Sequence, residues 1–176
     1  DPNASTDALD KVIVTDPSLA TRILAIVNSP LYRGSTPITS LKQALVRLGL
    51  KIVRDMVFTE SVRGKVFSQK SYRDLIENAW RLSLGSAIAC EAISKLTGIE
   101  REGAFLTGLL HETGTPVLIN AVTDFEKRND GRSMGEEMVE ILVSQLHEEI
   151  GAYVLDKWGM PATIVDAAGG HHRYRS

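Results

Sequence analysis

Residues 104–121 read AFLTGLLHETGTPVLINA, in which His111 and Glu112 follow a run of apolar residues. The apolar positions recur at helical spacing, so a short helix is predicted to carry them. Neighbouring side chains on a helix point about 100° apart, and His111 and Glu112 can therefore bind one metal ion only at a helix end or kink. Gly114 and Pro116 provide such an interruption. The stretch therefore predicts a helix. It also contains His111 and Glu112, whose role decides much of the predicted function.

Helical periodicity extends along the rest of the chain. In TDPSLATRILAIVNSP (residues 15–30) the apolar residues fall on one helical face. The segment SLKQALVRLG (residues 40–49) repeats this pattern, and Thr39 or Ser40 can cap its helix. No segment alternates with a period of two for long enough to form a strand. The predicted fold is therefore an all-α, compact multi-helix domain.

Composition and charge limit the classes of function. The 176 residues are 43% apolar and 24% charged, with a formal net charge of −2 and a pI near 6.1. This composition is typical of a globular domain, and the lack of a basic surplus argues against nucleic acid as a partner. Trp80 and Trp158 are accordingly predicted to be core or lobe-interface anchors and not base-stacking platforms. With no secretory signal and no run of 18 apolar residues, we expect a cytoplasmic location and no membrane association. The single cysteine, Cys90, excludes an intrachain disulfide.

Four histidines lie in the last two-fifths of the chain, and two of them precede an acidic residue. They are His111, His147, His171 and His172, with Glu112 and Glu148 as the acidic neighbours. Imidazole and carboxylate groups are common ligands of divalent metals, and a metal-bound water is a nucleophile near neutral pH. The alternative is structural, since a histidine at the base of an apolar helix is commonly a hydrogen-bonded core residue. On that interpretation Glu148 and Glu149 form a solvated helix face.

Four motifs, in order along the chain, resemble those of the HDOD family, the HD-related output domains of bacterial signalling proteins. DPSLATRILAIVNSP (residues 16–30) is similar to the opening helix of the family, and ITSLKQALVRLGLKIVRDMV (residues 38–57) to its second signature. AFLTGLLHETGTPVL (residues 104–118) stands where such domains carry Leu-Leu-His-Asp-x-Gly. HEEIGAYVLDKWGMPATIVDAAGGHH (residues 147–172) is similar to the C-terminal signature of His, Gly-Ala, Trp-x-x-Pro and His-His.

The resemblance implies a single HDOD-like domain over residues 1–176. Its N-terminal helical lobe would span residues 1–70, and an HD-type helical core would span residues 71–176. HD domains proper are metal-dependent phosphohydrolases, and the related HD-GYP subfamily cleaves cyclic di-GMP. Their metal sites use a histidine on an early helix, the His-Asp pair, and a later aspartate or further histidines.

This chain departs from the hydrolytic pattern at three places. HDOD sequences often carry Trp-x-His-Ser on the early helix, and this chain has WRLS at residues 80–83. Glu112 replaces the aspartate with a carboxylate one methylene longer, which a metal site tolerates poorly. Thr115 replaces the lysine of HD-GYP proteins. With these departures the resemblance implies that His111-Glu112 is a structural pair. The histidines that do match the family pattern are His147, His171 and His172.

The predicted function is a non-catalytic bacterial signal-transduction or output module, not an enzyme, which acts through protein–protein contacts or ligand-induced rearrangement of helices. Its expected partners are signalling proteins or fused sensor or receiver domains, and no cofactor is expected. Two alternatives stay open: a metal-dependent phosphohydrolase of nucleotides or cyclic dinucleotides, and a nucleotide-binding sensor. If a divalent metal is bound, its candidate ligands are His111, Glu112, His147, His171 and His172.

Overall fold

The computed structural model describes residues 17–29, 32, 34–98 and 103–173 of the chain. These residues form helices joined by turns, and none of them lies in a β-strand, so the predicted all-α fold is confirmed. The helices are α1 (Pro17–Val27), α2 (Leu41–Leu48), α3 (Leu50–Lys65), α4 (Arg73–Thr97), α5 (Ala104–Leu110), α6 (Gly114–Arg128), α7 (Glu136–Lys157) and α8 (Ala162–Ala168). Within these segments no helix has the length and apolar character needed to cross a membrane. The chain divides into two compact units between Lys65 and Val66.

The first unit contains α1, α2 and α3, which pack around one apolar core. The buried residues of this core are Leu19, Ile23, Val27, Ile38, Ala44, Val53, Met56 and Val57. Asn28 fixes the chain after α1, because its side-chain amide donates to the carbonyl oxygens of Leu24 (2.9 Å) and Ile38 (2.7 Å). Ser40 accepts a hydrogen bond from the Gln43 amide, which confirms it as the cap of α2.

The second unit contains α4 to α8. The long helix α4 turns one face inward, formed by Ile76, Ala79, Trp80, Ser83 and Ala87. Gly108 of α5 lies against the backbone of this helix, since a Cβ at Gly108 would come within 2.5 Å of backbone atoms of Ser86 and Ala87. Only glycine permits so close an approach. The contact fixes α5, and with it the start of the turn that carries His111 and Glu112.

The two tryptophans occupy different environments. Trp80 is 8% exposed and packs edge-on against Phe67, with 5.3 Å between the ring centroids. Trp158 is 49% exposed. The predicted core position is therefore confirmed for Trp80 and wrong for Trp158. Trp158 is the C-cap of α7, where helical periodicity ends and no longer predicts the direction of the side chain.

Trp80→Ala is expected to lower the free energy of unfolding by about 3–5 kcal/mol, because it leaves a cavity in a packed core. Trp158→Ala should cost about 1 kcal/mol, the usual effect of a change at a half-exposed position. Urea unfolding followed by circular dichroism measures both losses. Equal losses for the two variants would contradict the environments described above.

Candidate metal centre

Four metal-capable side chains from three parts of the second unit come together. Glu112 lies in the turn between α5 and α6, His147 lies within α7, and His171 and His172 follow α8. One ligand atom from each of these residues lies within 4.8 Å of the others. The structure thus brings together four of the five candidate ligands predicted from the sequence. The fifth, His111, lies beside this group but is not one of its members.

Two glycines allow the helices that carry these residues to touch. At Gly114, the first residue of α6, an added Cβ would overlap the carbonyl oxygen of His147 and lie 2.8 Å from the Gly151 amide nitrogen. In return, a Cβ at Gly151 would lie 3.2 Å from the Gly114 amide nitrogen. The start of α6 therefore rests directly on the backbone of α7 in the turn that begins at His147. Glu112, two residues before Gly114, is brought next to the imidazole of His147 in this way.

Backbone carbonyl groups orient three imidazole rings. The Nδ1 atoms of His111, His147 and His171 lie 2.8, 2.7 and 3.0 Å from the carbonyl oxygens of Gly108, Val143 and Ala168, respectively. A carbonyl oxygen can only accept, so each of these Nδ1 atoms carries a proton. In the neutral ring Nε2 then presents an unshared lone pair. A carbonyl on the second ring nitrogen is the arrangement that commonly fixes metal-binding histidines.

The Nε2 atom of His147 faces two other imidazoles. It lies 3.1 Å from Nε2 of His171 and 3.0 Å from Nε2 of His172. The neutral rings of His147 and His171 would both present lone pairs at their contact, which is repulsive unless a cation lies between them. A proton on one ring relieves that contact. A metal ion relieves the contacts of His147 with both His171 and His172, because it accepts lone pairs from several rings at once.

The donor set and its spacing fit a divalent transition metal. Two imidazole nitrogens bound to one ion at about 2.0–2.1 Å lie about 2.8–3.4 Å apart for bond angles of roughly 90–110°. Both Nε2 contacts of His147 fall in this interval, while Oε1 of Glu112 lies 3.7 Å from Nε2 of His171, slightly beyond it. Three imidazoles with one carboxylate suit zinc, iron, nickel or copper better than magnesium or calcium.

Glu112 is the buried carboxylate of the site, only 7% exposed. Burial acts to raise its pKa, but the interactions with His171, Thr115 and His111 outweigh burial and lower the pKa to about 2. The Thr115 hydroxyl donates to Oε2 of Glu112 at 2.9 Å. The residue that stands in place of the HD-GYP lysine therefore orients this carboxylate and leaves Oε1 directed toward the histidines.

Burial is the largest single influence on the pKa of both His111 and His171, and in each case it acts to lower that pKa. At His111 burial prevails, so the pKa is lowered. At His171 the Glu112 carboxylate 3.7 Å away, a hydrogen bond to the Ala168 carbonyl, and the charge of Glu148 outweigh burial, so the pKa is raised. The imidazolium form is therefore more favoured at His171 than at His111.

His111 lies at the edge of the cluster. Its Nε2 is 3.6 Å from Oε1 of Glu112, and its ring packs perpendicular to that of His171 with 4.8 Å between the centroids. The pair His111-Glu112 does sit at a helix end, as its sequence requires for metal binding. Only Glu112 belongs to the ligand group, and His111 supports it from one side.

Glu148 is a part of the site that the sequence did not indicate. The expected solvated position is correct for Glu149, which is exposed, and wrong for Glu148, which is half-buried. Glu148 accepts a hydrogen bond from the backbone amide of His172 at 2.9 Å and lies 3.8 Å from Nδ1 of His171. The amide of His172 is also the main reason why the pKa of Glu148 is lowered. This contact spans 24 residues, and no local pattern in the sequence predicts it.

Helix α4 contributes no side chain to the group of four ligands. The resemblance placed the missing histidine near Leu82, and Leu82 is 57% exposed. Its buried neighbour is Ser83, whose hydroxyl has no hydrogen-bond partner among the residues described. Helix α4 therefore supports α5 and supplies no imidazole to the cluster from the turn that contains Leu82 and Ser83.

Comparison with known proteins agrees with this architecture. The HDOD domain family matches residues 1–174, which confirms the resemblance carried by the four sequence motifs. A crystal structure of an HDOD domain protein with unknown function from Geobacter sulfurreducens is similar, with a TM-score of 0.69 and 25% sequence identity over 97% of this chain and 59% of that chain. An uncharacterized protein of Treponema pallidum (strain Nichols) is 22% identical over 178 residues, which cover 97% of this chain and 34% of that protein. Both relatives therefore contain substantial sequence beyond the region that matches.

Gly114→Ala is expected to lower the free energy of unfolding by at least about 1–3 kcal/mol, the usual cost of overpacking, because its Cβ would overlap backbone atoms that cannot rotate away. The matched control is Gly85→Ala in α4, where a Cβ meets nothing within 4 Å. The control should gain about 0.5–1 kcal/mol from helix propensity. Urea unfolding measures both variants, and an unchanged stability of Gly114→Ala would refute the close contact between α6 and α7.

In the metal-free protein, Glu112→Gln is expected to lower the pKa of His171, because the amide no longer stabilises an imidazolium. NMR titration of the imidazole protons measures this change, and Glu137→Gln, on the exposed first turn of α7, is the control.

The folded pKa of Glu112, about 2, lies below its ordinary value of 4.5. Its ionised form therefore stabilises the fold above pH 4.5, and this contribution is lost as the pH falls toward 2. The free energy of unfolding of Glu112→Gln should therefore fall less steeply than that of the wild type between pH 4.5 and pH 2.

Proposed function

Because the chain belongs to the HDOD family, we propose that it is a non-catalytic signal-transduction module that holds a divalent transition-metal ion. The ligands would be Glu112, His147, His171 and His172. The proposal rests on one observation above all, the convergence of imidazole Nε2 atoms on one another at 3.0–3.1 Å. The sequence alone favoured a site without a cofactor, and the converging nitrogens favour the metal-bearing alternative.

The ligand count supports a structural or sensory role for the ion. Structural zinc sites have four protein ligands, whereas catalytic zinc sites have three and keep one position open for water or substrate. Three imidazoles and one carboxylate would complete a tetrahedral site. The group contains only one carboxylate, and the second oxygen of that carboxylate already accepts a hydrogen bond from Thr115. No bridging carboxylate for a second ion is present in this group.

The position of the ligands in the fold suggests how the ion would carry a signal. Glu112 stands at the start of α6, His147 within α7, and the two adjacent histidines directly after α8. Binding or loss of the ion would tighten or release the packing of these three helices. A protein partner, or a fused sensor or receiver domain, would respond to that change. The relatives from Geobacter and Treponema, in which the matched region is part of a longer chain, support a role as a module within larger proteins.

A metal-dependent phosphohydrolase is the second candidate, and one observation favours it. His172 is exposed, so one side of the cluster is open to solvent and to a ligand as large as a nucleotide. An ion that takes six ligands would keep two positions for water or phosphate oxygens beyond the four side chains. In this case the metal would supply an activated water, and the carboxylate of Glu112 would lie beside that water as one of the four side-chain ligands.

The metal content of the protein, purified without a histidine tag or chelators, tests the first proposal. We expect about one equivalent of zinc, iron, nickel or copper by elemental analysis, as a single closed site implies. His147→Ala and His172→Ala should each lose this metal, and His111→Ala, outside the ligand group, should retain it. Circular dichroism verifies that the variants are folded. Protein without metal, which also takes up none on titration, would refute the proposal.

Hydrolysis assays separate the two candidates. The metal-loaded protein is expected to leave cyclic di-GMP and bis-p-nitrophenyl phosphate intact, because no open coordination position remains. Hydrolysis that is lost in His147→Ala and retained in His111→Ala would establish the phosphohydrolase instead. Metal binding without hydrolysis supports the signalling module.

A further inference from the structure

The four proposed metal ligands are not held in the same way. Glu112 is fixed through its side chain by Thr115, and the imidazoles of His147 and His171 are fixed by backbone carbonyl groups. In the described part of the chain, the ring of His172 has one polar contact within hydrogen-bonding distance, with Nε2 of His147 at 3.0 Å. That contact lies inside the cluster. The position of His172 therefore depends on how its backbone is held.

Two consecutive glycines separate α8 from the two histidine ligands. Helix α8 ends at Ala168, and Gly169 and Gly170 follow it. Glycine has the largest conformational freedom of all residues, so this connection does not by itself fix the direction of the chain after it. The hydrogen bond between the His171 ring and the Ala168 carbonyl is local and ties the chain to no other helix. We call residues 171–173 the histidine segment. It needs a contact of its own with α7, the helix that carries His147.

Glu148 of α7 makes this contact. Its Oε1 accepts a hydrogen bond from the backbone amide of His172 at 2.9 Å and lies 3.8 Å from Nδ1 of His171. Its Oε2 lies 3.9 Å from Nε of Arg173. One carboxylate thus reaches all three residues of the histidine segment, from the position next to His147. The hydrogen bond to the His172 amide is attractive with or without a cation, unlike the contact between the Nε2 atoms of His147 and His171.

Glu148 does not belong to the ligand group. The four ligand atoms come from other residues and lie within 4.8 Å of one another. The ring nitrogen nearest to Glu148 is Nδ1 of His171, which is hydrogen-bonded to the Ala168 carbonyl, and not the Nε2 that would bind an ion. A substitution at Glu148 therefore leaves the ligand set complete and changes only its placement.

We propose that Glu148 is a positioning residue of the metal centre, which docks the histidine segment on α7 and sets the affinity for the ion through the backbone of His172. The inference rests on the metal-binding function proposed above. Glu112 and His147, held together by the helix contact at Gly114, form the fixed side of the site. The histidine segment forms the movable side. Its docking before the ion arrives reduces the ordering that binding requires, and loss of the docking contact releases the ion.

Zinc affinity, measured by competition with a chromophoric chelator, tests the inference. Glu148→Ala should raise the zinc dissociation constant about 10–100-fold, the usual effect of removing a group that orients a metal ligand. Glu149→Ala, at the exposed neighbouring position, is the matched control and should leave the constant unchanged. Circular dichroism verifies that both variants are folded. Wild-type affinity in Glu148→Ala would overturn the inference and leave the metal site itself intact.

Two conservative variants separate the hydrogen bond from the charge. Glu148→Gln keeps an oxygen that can accept from the His172 amide at the same reach, and it should recover most of the zinc affinity lost in Glu148→Ala. Glu148→Asp keeps the charge but is one methylene shorter, so its dissociation constant should stay close to that of Glu148→Ala. Recovery in Glu148→Asp without recovery in Glu148→Gln would show that the charge alone sets the affinity, and the inference would then be wrong.

Amide exchange in the metal-free protein tests the docking contact independently of metal binding. In NMR measurements, the His172 amide should exchange at least about tenfold faster in Glu148→Ala than in the wild type, the factor that a hydrogen bond to a charged group contributes. Glu149→Ala should leave this rate unchanged. An unaltered rate in Glu148→Ala would overturn the inference. If the wild type takes up no zinc, the proposed function fails, whereas the exchange rate still decides whether Glu148 docks the histidine segment.

Discussion

The second unit depends on the direct contact between the start of α6 and the backbone of α7. Gly114 and Gly151 have no Cβ, and this allows the first turn of one helix to rest on the carbonyl group of His147. Without the contact, Glu112 and His147 would belong to separate surfaces. Gly108 plays the corresponding role between α5 and α4. Two backbone contacts of this kind hold the turn with Glu112 beside His147.

The cluster is costly to the protein in its metal-free form. Glu112 and His147 are buried and His171 is half-buried, and the lone pairs of His147 and His171 oppose each other at 3.1 Å. Hydrogen bonds from the Nδ1 atoms of His147 and His171 to backbone carbonyl oxygens, and one from the Thr115 hydroxyl to Glu112, offset part of this cost. Such arrangements store unfavourable energy that a suitable cation releases. The affinity that the proposed site would have for a cation and its cost in stability therefore have the same origin.

Local sequence patterns predicted most of the helices but only part of the site. Apolar spacing identified the faces of α1 and α2, and Ser40 was recognisable as a cap because capping depends on residues a few positions apart. The pair His111-Glu112 was correctly placed at a helix end. The sequence could not show that His147 would meet histidines 24 residues later, since that contact depends on how α8 packs. The predictions for Glu148 and Trp158 were wrong for different reasons. Glu148 meets the segment that follows α8, a long-range contact, and Trp158 lies at the C-cap of α7, where helical periodicity ends.

The spacing of the ligands along the chain has a consequence for the unfolded state. Any ion that bridges His147 and His171 closes a loop of 24 residues that contains all of α8. A helix of seven residues is too short to be stable alone, so it relies on having both of its ends held. By analogy with a disulfide, closing a loop of this length removes chain entropy equivalent to about 3–4 kcal/mol. With an ion bound, as proposed, the cluster would act as a removable cross-link, and amide hydrogen exchange in α8 would report whether it is closed.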